Sequence, residues 1–193
     1  DVYSIRPEEI QLGFLKLLRG SSMREEAHEY EMKYSPYPPY EILSTKDISY
    51  DELNLLKKVE HMVDKYYNSQ KFDNIIKYFE PKFNTPFEMF YSLSRFFDEK
   101  GYFNRNIGNN EYYKVFLDFN SKIIKEDNHI LRDIIRYDYL NSNKRRGMPE
   151  FLVSKIAKEE EEKIKEKYRG EYSFRDYYVE KFCININKFI QSG

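Results

Sequence analysis

The chain has no tryptophan and a single cysteine, Cys183, in 193 residues. One thiol excludes a disulfide framework within the chain, and a reducing, cytoplasmic setting is the expectation. Charge of either sign is not in excess: 32 Lys and Arg face 33 Asp and Glu, a formal charge of −1. That balance gives no electrostatic reason to expect nucleic acid or a membrane surface as partner. No run approaches the ~18 apolar residues of a membrane span, and no signal peptide precedes Asp1. The seven glycines are scattered. None of G-x-S-x-G, G-x-G-x-x-G or G-x-x-x-x-G-K-S/T occurs, so no nucleophile elbow or phosphate cradle is written in the chain. His28, His61 and His129 lack ligand spacing and H-E-x-x-H is missing, so no metal site is expected of this chain alone. Cys183, among Phe182, Ile184 and Ile186, reads as a small buried hydrophobe.

Aromatics are what the chain has in quantity. Nineteen Tyr and fifteen Phe stand in a chain of only 40% hydrophobic content. Each ring buries a large area, so a core needs few aliphatics. The clearest element is T-P-F-E-M-F-Y-S-L-S-R-F-F-D-E-K-G, residues 85–101. Thr85 with Glu88 is a capping-box pattern, Pro86 suits the first helical position and Gly101 suits a left-handed stop. Phe87, Phe90, Tyr91, Ser94 and Phe97 share a face, with Leu93 and Phe96 beside it. So broad a stripe predicts that other helices pack around it.

Ile10–Leu18 is a short apolar run whose length permits a buried strand or one end of a helix. From Met23 the chain reads as a polar helix. Pro36, Pro38 and Pro39 then force an extended path and mark the likeliest boundary. A second capping box, Ser49 with Glu52, opens a helix to about Asn68 carrying Leu53, Leu56, Val59, Val63 and Tyr66. Further helices are expected at residues 72–80, at 112–123, at 130–140, and as a last one over 172–190 capped by Ser173. The fold class is therefore all-α and bundle-like. Its expected division is 1–45 and 46–193, with a short strand near the N-terminus.

Two charged stretches merit chemistry. Glu159–Glu162 pairs at i,i+4 with Lys163 and Lys165 and reads as a solvated helix face. Lys144, Arg145 and Arg146 follow Tyr137 and Asp138 closely. Two guanidiniums in a loop can clamp an anionic group of a substrate, and Asp138 can orient one of them. This makes Tyr137, Asp138, Arg145 and Arg146 the candidate substrate-binding residues, and no catalytic residue is assigned. The plainer reading is an exposed loop whose cations favour the preceding helix dipole.

P-E-E-I-Q-L-G-F-L-K-L-L-R-G-S-S-M, residues 7–23, resembles the end of the barrel in cobalamin-binding-type radical SAM proteins. Those proteins carry P-x-x-I-Q-L-G-F-L-K-x-L-x-G-T there, with Gly20-Ser21 a mild departure from Gly-Thr. Pro38-Pro39-Tyr40-Glu41 and the helix ending Tyr67-Asn68-Ser69 look like the continuation, and residues 71–190 are similar to the helical domain that follows the barrel. The resemblance implies that Ile10–Leu18 is the last barrel strand, with Gln11, Gly13 and Leu15 on one face. It implies an iron–sulfur enzyme using S-adenosylmethionine, a 4Fe-4S cluster on a C-x-x-x-C-x-x-C loop, and cobalamin in a further domain. This chain has neither the cysteine motif nor those domains. The implied reading is a C-terminal accessory domain without cofactors of its own, inactive alone. Its partners are the upstream barrel of the same polypeptide and a substrate the sequence does not identify. The alternative is a free-standing helical protein- or RNA-binding module.

Overall fold

The computed structural model describes residues 2–143, 147–153, 158–170 and 180–191. They are mostly helical, and the described strands are β1 (Lys33–Tyr34) and β2 (Ile42–Ser44), an antiparallel pair. The all-α expectation holds. The chain forms two compact units: Asp1–Gln70 with Phe79–Asn106, and Lys71–Tyr78 with Ile107–Gly193.

In the first unit, α2 (Tyr50–Met62) continues as a π-helical turn, Val63–Asn68, and packs on α4 (Pro86–Glu99). Both helices start where the capping chemistry puts them. Ser49 and Glu52 exchange both bonds of a capping box: the Glu52 N–H donates to Ser49 Oγ (3.3 Å), and the Ser49 N–H to Glu52 Oε2 (2.8 Å). The Thr85 hydroxyl accepts from the Glu88 N–H (3.1 Å), but the Glu88 carboxylate reaches one residue further back, to the Asn84 N–H (3.1 Å). Gly101 ends α4 at φ 67°, a conformation glycine adopts without strain. The interface is aromatic and aliphatic. Val59, Met62 and Tyr66 are buried beside Met89, Phe90, Leu93, Phe96 and Phe97, with the Tyr66 and Phe97 rings edge to face at 5.9 Å. One position of the expected stripe departs from it: Phe87 is 55% exposed, and Met89 fills the core instead.

A short 3-10 turn, Val2–Ile5, leads into a non-helical strap. Tyr3 and Arg6 both bond the Glu80 carboxylate, and the Tyr3 ring lies 5.3 Å from that of Tyr67. Tyr67 then donates to the Pro7 carbonyl (2.6 Å), and the Asn68 amide both accepts from and donates to the Ile10 backbone (2.9 and 3.1 Å). The π-turn delivers these two side chains, since its extra residue re-aims the end of the helix. Lys16 bridges Glu41, so the strap joins the edge of the small sheet, and Leu17 is buried with Ala27, Ile42 and Leu53.

The polar helix expected from Met23 is only α1 (Ser22–Glu25). Ala27 is pulled into the small core, and Glu31 adopts φ 50°, so the chain turns and enters β1. Few apolar positions were available to anchor a longer helix.

The second unit holds α3 (Asp73–Phe79, to Tyr78), α5 (Asn109–Phe119), α6 (His129–Ser142), α7 (Lys158–Lys167) and α8 (Ile186–Gln191). Its core is again rings: Phe72 lies 4.5 Å from Tyr113, and Tyr113 is edge to face with Tyr139 at 5.1 Å. Of the helix expected over 172–190, residues 172–179 lie outside the described residues, and 180–185 are not helical. Helix resumes only at α8, where the Asn185 side chain caps Lys188 N (3.1 Å).

Candidate functional site

The sequence points to the C-terminal half of α6 and the loop after it. Lys144, Arg145 and Arg146 lie outside the described residues. Tyr137 and Asp138 are described, and they sit in different environments.

Asp138 is buried, 4% exposed. Its carboxylate accepts from Asn74 Nδ2 (2.7 Å) and from the Ile75 N–H (3.0 Å). The side chain thus caps the start of α3 from a neighbouring helix, meeting donors that α3 cannot satisfy itself. Burial pushes its pKa up to about 7, against the lowering effect of the Asn74 and Ile75 hydrogen bonds. Tyr137 is half-buried, with its ring 6.5 Å from Phe182.

The described residues on either side of 144–146 are held by a polar network. Tyr139 donates to Asn110 Oδ1 (3.1 Å) and to the Gly147 carbonyl (3.3 Å). Asn143 accepts from Asn109 Nδ2 (3.0 Å) and donates to the Tyr139 carbonyl (2.9 Å). Both Asn143 and Gly147 are therefore tied to α5 or α6. The four Asn and one Gly of residues 104–110 signal a loop. They do not signal that Asn109 and Asn110 serve as anchors.

A buried ion pair on α6 was not foreseen. Arg136 is 1% exposed and bonds Asp133 Oδ1 (2.9 Å), Glu180 and the Lys181 carbonyl (2.9 Å), with Phe182 over its guanidinium at 5.0 Å. The other Asp133 oxygen accepts from the Cys183 N–H and from the Ile184 N–H (3.1 Å). This carboxylate takes the Cys183 and Ile184 N–H groups, which a helix through these residues would have bonded to its own carbonyls. The signal in the sequence is an acid and an arginine three apart on a helix otherwise rich in Ile and Leu. Cys183 is exposed, against the expectation of burial. Its neighbours Phe182 and Ile184 are half-buried, so the apolar company does not enclose the thiol.

Among the described residues no three His, Cys, Asp or Glu side chains are grouped to hold a metal ion, and no helix is long and apolar enough to cross a membrane. What remains is a mostly helical chain in which the described residues on either side of 144–146 are held by a polar, tightly bonded framework. Residues 28–192 match the model of a family described as a protein of unknown function, DUF4080, and the chain belongs to that family. No curated protein and no solved structure matches it.

Proposed function

We propose that this chain is the helical C-terminal accessory domain of a radical SAM iron–sulfur enzyme of the cobalamin-binding type. The observation that carries the reading is the Pro7–Met23 resemblance together with the conformation of that stretch. Residues 15–17 pair with residues 40–42, and Leu12, Leu15 and Leu18 in the same stretch are 41–56% exposed. A strand in contact with further strands would cover such side chains and use the open edge. The single thiol of this chain cannot supply three thiolates, so the 4Fe-4S cluster the resemblance implies does not fit these residues. In this reading the cluster, S-adenosylmethionine and cobalamin belong to the barrel and the domain before it, and the barrel is this domain's partner. Reconstitution of the chain alone with iron and sulfide should leave its spectrum unchanged, and a stoichiometric cluster spectrum would overturn the reading.

Within it, Arg145 and Arg146, with Tyr137, are assigned to an anionic group of the substrate. Asp138 keeps α3 in place. Replacing either arginine by Ala in the whole enzyme should cost about 1.5–3 kcal/mol of substrate affinity. Lys163→Ala should cost nothing measurable, and equal effects in all three would remove the assignment. A free-standing RNA-binding module is distinguished by affinity that falls steeply with salt.

A further inference from the structure

At α3 the chain leaves the first unit and returns to it. Lys71–Tyr78 belongs to the second unit, while Gln70 and Phe79 on either side belong to the first. The seven residues of α3 are too few to stand as a helix alone, so side-chain contacts decide whether it forms. At its start, Asp138 on α6 accepts from Asn74 Nδ2 and the Ile75 N–H. Tyr113 on α5 donates to the Lys71 carbonyl (3.4 Å) and packs its ring on Phe72. Further along, Lys77 donates to the Phe189 and Ile190 carbonyls of α8 (2.9 and 3.0 Å), and Tyr78 to Glu126 Oε2 (3.0 Å).

The Asp138 contact differs from the others, because it sets a buried carboxyl group against neutral donors. Among the described residues no cation meets it. The titratable groups that face it are Asp73 from α3, whose negative charge opposes ionisation, and the Tyr113 phenol from α5, whose own pKa burial raises. Tyr137 and Tyr139 adjoin it on α6. A protonated carboxyl carries no charge and still accepts hydrogen bonds. Ionised, it is a buried charge near a second negative charge, and reaching water relieves that cost. Asn74 and Ile75 lie against its two oxygens, so the first turn of α3 has to lift before water can take their place.

We propose that the seat of α3 is a proton-controlled switch: with Asp138 protonated α3 stays docked on α5 and α6, and with Asp138 ionised its first turn opens while the rest of the second unit stays folded. The switch does not depend on the accessory-domain reading. Its window follows from the carboxyl group. Burial pushes the Asp138 pKa up to about 7, against about 3.9 for an aspartate in water. Opening therefore releases a proton and becomes easier as pH rises between those two values.

Native-state hydrogen exchange of the 193-residue chain, read by NMR from about pH 5 to about pH 8, tests the switch. With base catalysis divided out, protection of the Ile75 and Ile76 amides should fall about tenfold per pH unit up to about pH 7 and then level off. The whole fall should be on the order of a hundredfold. The Val115 and Phe116 amides of α5 should stay better protected at every pH. Asp138→Asn should make α3 protection independent of pH. Asp73→Asn changes an exposed residue and serves should Asp138→Asn fail to fold: it removes the opposing charge, so the fall should level off at a lower pH. Amides of α3 and α5 that exchange together at every pH would overturn the proposal. So would a fall unchanged by Asp138→Asn, or by Asp73→Asn where that variant stands in.

Discussion

At the scale of single residues, Asp138 is the side chain whose chemistry departs furthest from its sequence reading. Sequence alone places it beside cations, ready to orient an arginine. The structure gives both its oxygens to the start of α3. Burial raises its pKa to about 7, from an unfolded value near 3.9. The folded chain therefore holds this proton more tightly than the unfolded chain does. Its contribution to stability is full below about pH 4, falls as pH rises, and is gone above about pH 7, a change on the order of 4 kcal/mol. Asp138→Asn has no titrating group, so its denaturation midpoint should stay flat across that window, although its single amide oxygen can accept from only one of the two donors. Parallel profiles would show that Asp138 does not titrate there. Asp138→Ala should lose about 1–3 kcal/mol at every pH, because Ile75 N–H and Asn74 are left buried without their acceptor.

At the scale of elements, the capped and periodic helices were legible and the side chains that interrupt them were not. Ser49, Glu52, Thr85 and Gly101 act through bonds to their own local backbone, so short patterns reveal them. The break before α8 is written on α6 instead, in Asp133, about fifty residues earlier in the chain. No local pattern near Cys183 announces it. The strap is similar: Ile10 is held by Asn68, and nothing near Ile10 indicates that partner. Two outcomes follow. Asp133→Ala should destabilise the second unit by about 3–5 kcal/mol, since Arg136 keeps its buried charge and loses a partner; chemical denaturation measures it, and a loss below about 1 kcal/mol would contradict the pairing. Asn68→Ala should leave the helices intact and raise hydrogen exchange at the Ile10 amide to the rate of an open loop. Unchanged protection there would show that the latch is not what holds the strap.

At the scale of the whole molecule, the aromatic excess has a plain use. Rings form the cores of both units, Tyr66 with Phe97 in one and Phe72, Tyr113 and Tyr139 in the other, which is how a chain of 40% hydrophobic content closes two of them. The all-α class followed from periodicity. The candidate site was legible only as a charge pattern, because its anchors, Asn109, Asn110, Tyr139 and Asn143, are residue types that also fill ordinary loops and cores. An accessory domain belongs to a longer native polypeptide, and its mass and iron content test that directly. An antibody against this domain should capture the protein anaerobically from its own cells, for intact mass and iron analysis. The account predicts a polypeptide well above 23.6 kDa that carries a C-x-x-x-C-x-x-C motif and about four iron and four sulfide per chain. A 23.6 kDa protein without iron would contradict it.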